Sequence, residues 1–328
     1  RYGWYWILCP AGGVAGGWQL AMRSKSPYGP YEWKRVLERG KTTMNGPHQG
    51  GWIHTKYGED WFIHFQDKGP YGRVCHLQPV DWSSGWPVIG NAGEPYWKFR
   101  KPKSDSKTIV NPVETDEFDS SKLGMQWQWQ NDYKESYGQA TSMGFFRLFT
   151  YALPELGDVS NLWYVPNMLL QKTPADEFTA TTKLSFCSRN SDQYVGLVCM
   201  SAEYSSVGLQ RTEDGYELQI RHNPNAMRTH LTDEVLTVDT LKPTQKGTPR
   251  KGRPAEMHIK DVYLRMSIKD SKVNYAYSID GKKWKKAGGE YAMGKGRWIG
   301  SKIGFFAVDP NKTGRKGFID IDWFRISR

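Results

Sequence analysis

Two stretches of this chain echo one another. Residues 1–13, RYGWYWILCPAGG, and residues 56–69, KYGEDWFIHFQDKG, set Tyr2-Gly3 against Tyr57-Gly58 and Tyr5-Trp6-Ile7 against Trp61-Phe62-Ile63, at an offset of 55 or 56 residues. Both are runs of large aromatic and β-branched side chains, which favour strands. Gly, Pro and Asn cluster around them, as strand punctuation does. A self-similar unit of this length made of short strands points to a propeller blade. Chance similarity between two aromatic strands is the alternative. Further strands are expected over residues 18–23, 33–37, 52–54 and 74–77, and around Trp86-Pro87 in 82–90.

The pattern changes after a polar, proline-containing linker at 104–115. Residues 178–186, 194–202, 216–221, 262–268, 273–279, 303–308 and 318–326 read as longer alternating strands. In Val262, Leu264, Met266 and Ile268 the period of two is clean, which buries one face and wets the other. Ser278-Ile279-Asp280-Gly281 is a hairpin signal. Many strands and no helical period mean a β-sandwich over 116–328. Blades over 1–103, the linker and this sandwich make an all-β chain. Five blades of ~55 residues would need about 275 residues, so residues 1–103 are expected to be completed by a further, N-terminal polypeptide. An open propeller exposes strand edges.

Composition excludes several classes. The net charge of +11 is uneven: residues 1–103 hold 14 basic and 7 acidic residues, and 241–260 hold six basic residues and Glu256. The second cluster, KPTQKGTPRKGRP, is rich in Pro and Gly and reads as a solvated loop. No basic face on a recognisable nucleic-acid fold accompanies it, so no nucleic-acid partner is expected. No apolar run nears the ~20 residues of a membrane span. Cys9, Cys75, Cys187 and Cys199 show no metal-knuckle spacing and read as free thiols. Cys187 and Cys199 flank an expected hairpin turning near 190–192.

CPAGGVAGGWQLAMRSKSPYGPYE, NGPHQGGWIHT, YGRVCHLQPVDW and GWPVIG, in this order and spacing, resemble glycoside hydrolase family 43. The similarity is closest to its β-xylosidase and α-L-arabinofuranosidase members with a C-terminal concanavalin A-like sandwich. It covers nearly the whole chain. It implies a five-bladed propeller, of which this chain holds the C-terminal part, and release of terminal L-arabinofuranose or D-xylose with inversion. It also implies an oligosaccharide or polysaccharide substrate and a secreted or periplasmic location. The family's acid sits in a Glu-Gly-Pro motif, which this chain lacks. The catalytic carboxylates are therefore expected outside this sequence. A catalytically silent carbohydrate-binding or structural module is the alternative.

His48 reads either as a hydrogen-bonded structural His or, by the resemblance, as the family's axial His beside a hydrated cation. A neutral imidazole is a weak calcium ligand, so a role through water or in orienting a carboxylate is expected over direct ligation. Arg73 is a surface Arg or, by the resemblance, aligns with an Arg that reaches the −1 sugar, where a planar guanidinium can fork across two hydroxyls or a carboxylate. Gln66 ends the central strand with Asp67 and is expected to touch substrate; Asp67 reads as structural, because a glycosidase needs two carboxylates. Trp18 could stack on a sugar or be core, and Phe145, with Phe146, resembles an aromatic loop at the active-site rim, core aromatics being the equal alternative. His54, His64 and His76 read as satisfied sheet residues. Asp116, Glu117, Asp320 and Asp322 lie on the first and last strands of the sandwich. Asp116 and Asp322 are the expected ligands of a structural calcium, with solvated acids as the alternative.

Overall fold

The computed structural model describes residues 1–152, 161–228, 231–250, 252–296, 298–311 and 314–328. Lys251, in the basic stretch noted above, lies outside them. The chain divides into two compact units, Arg1–Val110 and Asn111–Arg328.

The first unit consists of two antiparallel sheets. One has the order β1 (Tyr5–Ala11), β2 (Trp18–Ser24), β3 (Glu32–Leu37); the other has β4 (Gly51–His54), β5 (Asp60–Asp67), β6 (Arg73–Asp81), β7 (Val88–Ile89). The echo in the sequence is a structural repeat. Tyr5 and Asp60 open equivalent strands 55 residues apart, as do Trp18 and Arg73, and Glu32 and Val88 follow at 56. The matched rings Trp6 and Phe62 both turn inward, onto a core of Ala21, Val36, Leu37, Trp86 and Ile89. One expected strand is shorter than foreseen. Of residues 82–90 only Val88–Ile89 pair, because Trp82 to Gly85 form a turn closed by the Gly85 amide on the Trp82 carbonyl, and proline at 87 has no amide to donate.

The second unit is a sandwich. Its strands are β8 (Gln128–Trp129), β9 (Gly138–Ala140), β10 (Phe146–Phe149), β11 (Tyr151–Ala152), β12 (Leu169–Lys172), β13 (Phe178–Ser188), β14 (Tyr194–Met200), β15 (Tyr204–Arg211), β16 (Tyr216–Asn223), β17 (Glu234–Leu241), β18 (Gln245–Lys246), β19 (Met257–Lys269), β20 (Lys272–Ser278), β21 (Lys285–Ala292), β22 (Lys302–Asp309) and β23 (Phe318–Ser327). One sheet runs β21-β20-β19-β13-β23-β10-β9 with β18 beside β19. The other runs β17-β16-β15-β14-β22-β12-β8 with β11 beside β22. Val262, Leu264, Met266 and Ile268 are buried while Tyr263, Arg265 and Ser267 alternate with them half-exposed, as the period of two requires. Aromatic rings join the inner faces: Trp127 lies against Phe118, Phe305 and Phe324 at centroid separations of 5.3–5.9 Å.

The expected hairpin between Cys187 and Cys199 does not form. Here β13 and β14 belong to opposite sheets, and residues between them carry the chain across the sandwich. Gln193 holds the crossing: its side-chain oxygen accepts the amides of Arg189 and Asn190 at 2.9 and 3.3 Å, and its amide donates to Asp309 and to the Arg315 carbonyl at 2.9 and 2.8 Å. A hairpin turn and a crossing use the same polar residues, which is why the sequence did not separate them.

Candidate functional site

In the first unit the candidate residues distribute over the two faces of β5. Side chains alternate across a strand, so Phe65 and Asp67 face one way and Phe62, His64 and Gln66 the other. Register pairs Asp67 with Arg73 and His64 with His76.

On the first face, Arg73 and His48 converge on Phe65. The Arg73 guanidinium lies 4.3 Å from the ring centroid, and the His48 ring packs at 6.1 Å. Arg73 Nε is buried and has no hydrogen-bond partner. His48 is itself buried, with Nδ1 2.7 Å from the Gly46 carbonyl and Nε2 2.9 Å from the Gly13 carbonyl. Both ring nitrogens are thus occupied by backbone oxygens, so His48 is not presented as a metal ligand. Gly17 makes room for it: a Cβ there would fall 2.3 Å from the Gly13 oxygen and 2.6 Å from the imidazole. Asp67 is structural. Its carboxylate accepts the Gly69 amide at 2.9 Å, and its backbone is clamped by both side-chain atoms of Asn45 at 3.1 Å.

Gln66, expected to touch substrate, turns away from Arg73, because adjacent strand residues face opposite sides. Its oxygen lies 3.2 Å from His76 Nε2 and its amide donates to the Thr43 carbonyl at 3.1 Å. His76 stacks on His64 at 5.4 Å. Burial drives His64 down to about 4, and burial followed by the Lys68 charge lowers His76. His64 is not a fully satisfied sheet residue, since its Nε2 is buried without a partner. Trp18 is engaged within the chain: Arg35 stacks 4.1 Å from its ring, and a Cβ at Gly12 would fall 2.2 Å from its Cζ3.

Sequence reasoning did not single out Asp60. Arg1 forks onto both its oxygens at 2.7 Å, with Trp52 Nε1 at 2.9 Å and His54 Nδ1 at 2.8 Å. Burial works to raise Asp60, yet these donors outweigh it and hold the group below the ordinary carboxylate range. Neither Asp60 nor Asp67 is presented as half of an acid–base pair.

In the second unit the expected calcium acids do not assemble. Asp116 accepts the Phe118 amide at 2.9 Å, Trp127 Nε1 at 2.7 Å and Gln126 Nε2 at 3.2 Å. Asp322 pairs with Lys183 at 2.9 Å, Asp320 receives a fork from Arg147 at 2.7 and 2.8 Å, and Glu117 receives one from Arg325 at 2.8 Å. Each carboxylate has found a protein donor, whereas calcium needs six or more oxygens on one point. Millimolar calcium should therefore leave the thermal melt unshifted. Asp116→Ala should destabilise the sandwich by about 1–3 kcal/mol, the cost of leaving buried donors unpaired, measured by chemical denaturation.

Phe145 and Phe146 separate by strand alternation. Phe146 is core, whereas Phe145 lines a cavity of about 240 Å³ on the outer face of β13, β19 and β23, with Lys183, Cys187, His258, Phe318 and Asp320. Cys187 and His258 are direct cross-strand partners. Cys187 Sγ lies 3.4 Å from His258 Nε2, which lies 2.8 Å from Glu256 Oε1. Burial pushes the Cys187 thiol up to about 12.

Comparison with known proteins places both units. Residues 115–327 match the β-xylosidase C-terminal concanavalin A-like domain, and residues 1–87 match glycosyl hydrolases family 43. A curated protein of Xylanibacter ruminicola is 33% identical over 311 residues, covering 93% of this chain and 53% of its own length. The β-xylosidase of Formosa agariphila is 30% identical over 336 residues, covering 93% and 52%. The crystal structure of the GH43 BlXynB protein from Bacillus licheniformis superposes with a TM-score of 0.79 at 25% identity, over 99% of this chain and 63% of that one. The chain spans about half the length of the curated relatives it matches. Among the described residues no helix is long and apolar enough to cross a membrane.

Proposed function

The chain belongs to glycosyl hydrolases family 43, and from that premise we propose that it is part of an exo-acting glycosidase releasing terminal D-xylose or L-arabinofuranose, with inversion, from plant oligosaccharide or polysaccharide. In an inverting reaction a carboxylic acid protonates the leaving oxygen while a carboxylate activates water on the opposite face of the sugar. This chain contributes the substrate-holding side of the site rather than that pair. The observation that carries the reading is the convergence of Arg73 and His48 on Phe65. A guanidinium held over a ring at 4.3 Å, with Nε unpaired, is positioned before substrate arrives. His48 fixes the glycine loops at Gly13 and Gly46 around it through two carbonyl contacts. The name of the Formosa agariphila relative makes the xyloside the first substrate to assay.

The acid and base would come from an N-terminal polypeptide that completes the catalytic domain. The test is release of 4-nitrophenol from 4-nitrophenyl β-D-xyloside and α-L-arabinofuranoside, by the 328-residue chain with and without such an N-terminal portion. Turnover is expected only with it. Turnover by the chain alone would refute the division of labour, and none in either arm would refute the glycosidase reading.

A further inference from the structure

We propose that Cys187, His258 and Glu256 form a binding site for a thiophilic divalent cation, zinc being the best match, on the outer face of the sandwich. Their three ligand atoms all lie within 4.8 Å of one another. No sequence spacing announces this, since the cysteine stands about seventy residues before the other two. The β13–β19 register creates it by setting Cys187 opposite His258, and strand alternation puts Glu256, two residues earlier, on the side of His258.

The donor set selects the metal. Thiolate, imidazole and carboxylate together suit zinc, while calcium and magnesium want oxygen alone. Zinc–ligand bonds of 2.0–2.3 Å at tetrahedral angles set ligand atoms about 3.3–3.6 Å apart. The Sγ–Nε2 distance of 3.4 Å already lies in that range, and the Nε2–Oε1 distance of 2.8 Å opens with a small rotation of the half-exposed Glu256. The second Glu256 oxygen accepts from Arg189 Nε at 2.8 Å, the kind of outer contact that orients a ligating carboxylate. Charge also balances: a dication with one thiolate and one carboxylate is neutral, which suits a site beside Arg189 and Lys183. Binding breaks the S–H bond, releases its proton to solvent and forms a metal–sulfur bond. Three protein ligands leave a fourth position for water, open to the cavity of about 240 Å³. A metal here would clip β13 to β19.

The test uses cobalt(II) as an optical probe on the full chain after metal removal. One equivalent should bind with a near-ultraviolet thiolate-to-cobalt band and tetrahedral visible absorption, and zinc should displace it. Cys187→Ser should abolish the band, and Glu256→Gln, at a half-exposed position where folding is safe, should weaken cobalt and zinc binding at least tenfold. Cys75→Ser, at an exposed thiol, should change neither. Absence of a stoichiometric band, its survival in Cys187→Ser, or unchanged affinity in Glu256→Gln would overturn the assignment.

Discussion

Replacing Arg73 by alanine in the active enzyme should lower kcat/KM on aryl pentosides by roughly ten- to over a hundredfold while leaving the thermal melt in place. Hydrogen bonds involving a charged group are worth about 1.5–3 kcal/mol, and each 1.36 kcal/mol is tenfold in rate. The fold should survive because Arg73 lies outside the apolar core formed by Phe62, Trp86 and Ile89. Its guanidinium lies 4.3 Å from the Phe65 ring centroid. Arg73→Lys should recover little of the loss: an ammonium offers neither the planar fork nor the flat stacking surface. Steady-state kinetics with a parallel melt check the result. Wild-type efficiency in Arg73→Ala, or a loss explained wholly by unfolding, would remove Arg73 from the substrate-binding role.

The first unit should lose about 3 kcal/mol of stability between neutral pH and pH 4, chiefly through His64. Its side chain is only 2% exposed, and burial lowers its titration from 6.5 to about 4. Below 6.5 the unfolded chain takes up a proton that the folded state refuses, so stability falls as pH falls through that window and levels off near 4. About 2.5 pH units at 1.36 kcal/mol each give the magnitude. His76, stacked on His64 and lowered by burial and then by Lys68, adds a term of the same sign. Asp60 acts elsewhere on the scale. Its lowered carboxyl contributes stability that is present above the ordinary carboxylate range and lost only as pH drops below it. Hydrogen exchange in peptides spanning β5 and β6, followed from pH 7 to 4, reads the opening free energy. His64→Phe should flatten the curve, and an unchanged slope in that variant would reassign the effect.

How far a feature could be read from the sequence tracks how local its cause is. The blade repeat was visible because each strand carries its own aromatic pattern and turn punctuation, and the 55-residue spacing recurs strand by strand. The sandwich strands were visible because burial on one face imposes a period of two, as Val262 to Ile268 shows. Arg73 and His48 were legible as candidates because they sit in local motifs, though that they meet on Phe65 was not.

What only the tertiary structure decided concerns partners distant in sequence. Residues 190–192 read as a hairpin turn, yet the chain crosses between the sheets there; the crossing rests on Gln193 finding Asp309 and the Arg315 carbonyl more than a hundred residues away. The acids of the first and last sandwich strands read as calcium ligands until Trp127, Arg147, Lys183 and Arg325 took their oxygens one by one. A carboxylate's chemistry depends on which donor reaches it first, and that is a property of register. The same holds for Cys187, His258 and Glu256. A linear sequence shows one thiol, one imidazole and one carboxylate in unrelated segments, and strand pairing alone brings their ligand atoms within 4.8 Å.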